Sequence, residues 1–129
     1  MKIEVSNGEI IDKLSILSIK LKRVTDAVKL SSIQREYNEL LAATTEITHI
    51  YPDIEDDYQD LRGINQKIWD IEETVRTKEE SSDFGAEFIK CARKIYVLND
   101  ERFAVKSRIN TKTQSFLEEH KSHKSCYTQ

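Results

Sequence analysis

Asn99, Arg102, Phe103, Lys106 and Asn110 fall on one broad face of a helix, and Arg102 stands where an apolar residue would continue the seam. Beside that seam runs a second stripe, Ile89, Ala92, Tyr96, Asn99, Phe103, Lys106, Asn110, which starts apolar and turns polar. Upstream, Asn65, Trp69, Glu72 and Arg76 make a similar flank, spaced at four, three and four. Two chemistries suit such a set. One is a pocket for an anionic or hydrogen-bonding ligand, with Arg102 and Lys106 as charge and Trp69 or Phe103 as a stacking wall. The other is a polar layer that sets register and oligomeric state, because a buried Asn or Arg without partners costs about 1 to 3 kcal/mol or more.

Carboxylates form the next set. Glu9 and Asp12 stand three apart, as do Glu36 and Glu39, and Asp53, Asp56, Asp57 and Asp60 line one helical face. Pairs so spaced on facing helices can hold Mg²⁺ and orient a water for nucleotide pyrophosphate hydrolysis, as the all-α nucleotide pyrophosphohydrolases do. The helix dipole explains acids at a helix start equally well. Ile11-Asp12-Lys13-Leu14 with Arg35-Glu36 resembles, in scattered residues, the helical chorismate mutases, whose Arg and Lys clamp a dicarboxylate. His120, His123 and Cys126 are zinc-type donors at close spacing, but a structural site takes four ligands, and a solvated tail is expected there.

The chain has no Gly-rich phosphate loop, no G-x-S-x-G elbow and no Cys or Ser beside a credible base, so no cofactor and no resident metal are expected. The candidate positions are Glu9, Asp12, Lys13, Asn65, Trp69, Glu72, Asn99, Arg102, Lys106 and Asn110, as a ligand site or a structural cluster.

The elements that must position them follow from apolar residues spaced by threes and fours. The series are Ile10 to Val28, Leu30 to Tyr51, Ile54 to Val75 and Phe84 to Phe116, and this period marks helices. Three Gly and one Pro leave few places to break them. The expected fold is all-α, four helices as two consecutive antiparallel hairpins in a coiled-coil-like bundle. After an extended arm over residues 1–6, a capping box of Ser6 and Glu9 starts helix one, which runs to about Ala27. Ile16 and Ile19 give it a second apolar face, so it is central or covered by another subunit. Helix two covers about Ser31 to Tyr51 and ends at Pro52, and helix three persists to about Lys78 with Gly63 inside it. Helix four, capped at Ser82 or Asp83, continues to about Glu119, roughly 50 Å long. Its overhang exposes Ile109, Phe116 and Leu117 for another chain or the first hairpin to cover. Residues 1–119 read as a single helical domain, with 120–129 a flexible polar tail.

A length of 129 residues suits one core, and 33% charged residues suit thin seams with wet faces. The net charge of -3 with interleaved signs offers no basic field for nucleic acid, and no apolar run approaches a membrane span. Neither partner is expected, and the location read from the first residues and the cysteines is cytoplasmic.

Ser6 to Leu17 (SNGEIIDKLSIL), Ile64-Asn65 with Ile68 to Glu72 (IWDIE), Asp83-Phe84-Gly85 and Asn99 to Phe103 (NDERF) together resemble a family of small uncharacterised bacterial and phage proteins, a domain of unknown function. The resemblance implies an all-helical single domain and no established activity. The expected role is a non-enzymatic homodimer that serves as an assembly or accessory protein and meets a protein partner. The alternative is a ligand-binding or Mg-dependent enzyme at the polar cluster.

Overall fold

A computed structural model describes residues 1–120. Four helices follow in order, α1 (Asn7–Arg23), α2 (Ala27–Ile50), α3 (Ile54–Glu80) and α4 (Ala86–Lys112), with no strand among the described residues. α1 and α2 form one hairpin, α3 and α4 the other, and α1 also lies against both helices of the second. The second apolar face of α1 is thus used inside the chain. Ile11, Leu14, Leu17 and Ile19 are all buried, so α1 is the central element. The core gathers Ile11 with Ile54 and Leu61 of α3 and Val105 and Ile109 of α4. Removing such side chains from water supplies most of the drive for packing, at about 25 cal/mol per Å².

The first connection is tighter than the sequence suggests. α1 stops at Arg23, and Asp26, in extended conformation, caps α2 by accepting a 2.9 Å hydrogen bond from the Lys29 amide. Helix two therefore starts at Ala27 instead of Ser31. The cap satisfies a free N-H, which outweighs the weak helix preference of Val28, Ser31 and Ser32.

The expected length of α4 needs a larger correction. It ends at Lys112, not Glu119. Gln114 takes a left-handed conformation (φ 51°), the Ser115 amide donates to the Asn110 carbonyl at 2.9 Å, and the Gln114 amide to Thr111 at 3.3 Å. This double closure satisfies two carbonyls that a continuing helix would otherwise have used. The overhang therefore does not exist. Ile109 is fully buried in the core, while Phe116 and Leu117 lie in the exposed non-helical segment that follows. α3 ends in the same way at Ser82 (φ 54°), with Asp83 donating to the Lys78 carbonyl at 2.8 Å.

Gly63 faces open space, with nothing within 4 Å of where a Cβ would stand, so it is a tolerated loss of helix propensity. Gly8 is different. A Cβ there would lie 2.5 Å from the Lys106 carbonyl oxygen, so only glycine lets the first turn of α1 approach α4 this closely. Residues 1–5 carry no regular secondary structure and are exposed.

Candidate functional site

α1 runs antiparallel to α4, and its first turn docks on the end of that helix. Free amides at a helix start need acceptors, and here three find them. Asn7 donates to Ser115 Oγ at 3.0 Å, Gly8 to Asn110 Oδ1 at 2.7 Å, and Glu9 to Ser6 Oγ at 3.1 Å. Ser6 is thus the expected cap, but the Glu9 side chain does not complete the box. Its Oε2 accepts from Lys106 Nζ at 2.7 Å instead, because a buried ammonium is the stronger donor.

One turn further along, Asp12 is completely buried. Its carboxylate accepts from Arg102 through Nε (2.9 and 3.1 Å) and Nη2, and from Asn65 Nδ2 at 2.9 Å. Asn65 Nδ2 also reaches Ser15 Oγ at 2.8 Å, and that hydroxyl donates to the Asp12 carbonyl at 2.6 Å. One buried carboxylate is thereby tied to three helices. Lys106, beneath it, is shared by Glu9 and by Glu119 at 2.6 Å.

The electrostatics follow from these contacts. The hydrogen bond to Asp12 holds the Arg102 pKa above its ordinary value, against the opposing effect of burial. For Lys106 burial works to lower the pKa, yet the bonds to Glu119 and Glu9 outweigh it and the net direction is upward. Both cations are kept charged by carboxylates already in contact.

Six of the ten candidate positions therefore come together: Glu9, Asp12, Asn65, Arg102, Lys106 and Asn110. The other four do not join them. Lys13 points to α2 and pairs with Glu36 at 2.8 Å, Trp69 donates its indole N-H to Glu73 at 2.9 Å, and Glu72 and Asn99 are exposed. Trp69 is held on α3 by that bond to Glu73, which also pairs with Arg23 of α1 at 3.9 Å, and Glu72 is turned to solvent. Ser15, Ser115 and Glu119 escaped the sequence reading. Ser15 sits two positions past Lys13 among apolar residues, and Ser115 and Glu119 lie in what looked like unbroken helix.

A second ionic layer joins α3 to α4. Asp57, 2% exposed, accepts from Arg108 Nε at 2.7 Å and Lys112 Nζ at 2.9 Å, and Asp60 accepts from Arg108 at 3.0 Å. Of the acids considered as Mg²⁺ ligands, Glu9, Asp12, Glu36, Asp57 and Asp60 are thus engaged by cations. Among the described residues no three His, Cys, Asp or Glu side chains gather as a metal-ligand set. His123 and Cys126, from the zinc-type trio, lie outside the described residues, as does most of the expected tail.

The family model described as "Family of unknown function (DUF6165)" matches residues 1–128. The chain belongs to this family. No curated protein and no solved structure matches it. The match spans nearly the whole chain, so the polar cluster, the α1 docking turn and the second ionic layer all lie within the region that defines DUF6165. Among the described residues of this DUF6165 chain no helix is long and apolar enough to cross a membrane.

Proposed function

We propose that the protein is a non-enzymatic assembly or accessory protein that forms a homodimer through the amino-terminal half of α4 and presents helical surfaces to a protein partner. The supporting observation is the stripe that begins at Ile89. Its second half, through Phe103, Lys106 and Asn110, is buried or half-buried. Its first half is apolar and open, with Ile89 54% and Tyr96 63% exposed and Val97 and Phe84 beside them. Apolar side chains repeating along an exposed face are a surface that calls for a cover. Lys90, Arg93 and Lys94 border this face, and Glu72, Glu73, Glu79 and Glu80 mark the end of α3. A second copy brings both an apolar strip and opposite charge.

The polar cluster fits a structural layer in this reading. Arg102 and Lys106 are matched by Asp12, Glu9 and Glu119, so these five side chains already satisfy one another's charge. Size-exclusion chromatography with light scattering tests the proposal. The expected mass is twice 15.0 kDa for the native chain and 15.0 kDa for Ile89→Glu. A native chain that stays monomeric at high micromolar concentration overturns the homodimer.

A further inference from the structure

A cavity of about 430 Å³ lies between α1, α2 and the start of α3, on the far side of α1 from α4. We infer that it is a binding site for a compact small molecule with a flat apolar body and an uncharged or amine-bearing head. Its walls are of the kind that hold such molecules, mainly apolar with a few placed polar groups. Ile11, Leu14 and Ile54 make an apolar floor that is also part of the core, so the floor is rigid. Tyr37 and Tyr58 supply two aromatic rings from different helices.

The polar feature that points to a ligand is Thr44. It is 8% exposed, it forms part of the wall, and its Oγ1 is buried without a hydrogen-bond partner. Its helical neighbours do not share this state. Thr45 and Thr48 each donate to the carbonyl four residues earlier, at 2.8 Å in both cases. An orphaned buried hydroxyl costs about 1 to 3 kcal/mol, and a ligand N-H or O-H within reach removes that cost.

The charge of the wall selects the head group. Among the described residues no Lys or Arg lines the cavity, whereas Glu55 and His49 do. A carboxylate or phosphate head meets no fixed cation there and a like charge at Glu55. At liquid-like packing the volume takes on the order of a dozen non-hydrogen atoms.

Isothermal titration calorimetry on the full chain tests this with indole, tryptamine and indole-3-acetate, which share one body and differ in head charge. Indole and tryptamine are expected to bind in the submillimolar range, and indole-3-acetate about tenfold or more weaker. Thr44→Val should weaken indole by about five- to tenfold. Leu41→Trp should fill the cavity and abolish binding, with Thr45→Trp, at an exposed position on the same wall, as the alternative if that variant does not fold. The assignment is overturned by no binding of any probe at millimolar concentration, by indole-3-acetate binding as tightly as tryptamine, by binding that survives the filled cavity, or by a Thr44→Val chain that binds as the native one does.

Discussion

Gly8→Ala and Gly63→Ala make the same chemical change in two helices of one chain, and the structure assigns them opposite signs. At Gly63 the added methyl enters open space, so the gain is that of helix propensity, about 1 kcal/mol. At Gly8 the methyl would stand 2.5 Å from the Lys106 oxygen and 3.0 Å from Asn110 Oδ1, where ordinary contact begins at 3.4 Å. The first turn of α1 must therefore retreat from α4 by about 0.9 Å, the difference between contact and the shorter distance. A 2.7 Å bond from the Gly8 amide to Asn110 stretched by that amount is no longer a hydrogen bond. Losing it strands a buried donor and acceptor, at about 1 to 3 kcal/mol, and loosens the Lys106–Glu9 pair beside it. After the propensity gain is subtracted, Gly8→Ala should lose up to about 2 kcal/mol. Urea unfolding followed by circular dichroism measures both variants on one scale. A Gly8→Ala chain as stable as the native one, or more stable, would refute the close approach of α1 to α4.

Asp12→Asn, which leaves Arg102 partly buried without its counter-charge, should destabilise by about 2 to 4 kcal/mol, while Asp12→Leu combined with Arg102→Met should lose less than the single change; a double-mutant cycle in urea reads the difference. Lys106 and Arg102 have folded pKa values above their ordinary ones, so the stability they supply is complete below about pH 10.5 and is lost as pH climbs through the raised values. Tyr58, raised by burial against the opposing hydrogen bond with Ser18, acts in the same direction above about pH 10. Melting temperature should therefore fall on the alkaline side, and Lys106→Met should flatten part of that fall; equal alkaline slopes in the two chains would contradict it. Ser82→Gly, which relieves a left-handed serine at φ 54° on an exposed turn, should raise the melting midpoint by an amount worth about 0.5 to 1 kcal/mol, and a fall in the midpoint counts against the turn described.

The four helices were legible because apolar residues at threes and fours leave one packing solution, and the burial of Leu14, Leu61, Leu98 and Ile109 follows that pattern. The end of α4 was hidden for a physical reason. Phe116 continues the period, and the residue that breaks the helix is Gln114, whose side chain gives no hint of a left-handed backbone. The ends of α1 and α2 turned on Asp26, one acid among many until its geometry is seen. In the site, polar residues on otherwise apolar stripes were the usable signal, and Asn65, Arg102, Lys106 and Asn110 were found by it. Trp69, Glu72 and Asn99 obey the same spacing but bond elsewhere or face solvent, and spacing alone does not say which positions a partner helix meets. Gly8 lies between the capping residues Ser6 and Glu9 and gives no signal of its own, since the atom it makes room for belongs to residue 106.

The seat of α1 is built from residues made long after it. Asn7 and Gly8 rest on Asn110, Thr113 and Ser115, 102 to 108 positions downstream. At about 5 to 20 residues per second, a ribosome takes on the order of ten seconds to deliver them. During that interval the middle of the finished molecule is its least protected part, with Ile11 bare and the Asp12 carboxylate without the guanidinium that will enclose it. Such distant closure is the slow kind of folding step. A nascent chain arrested before α4 thus offers a chaperone an open α1–α2 hairpin, and release of residues 102–115 is the event that shuts it.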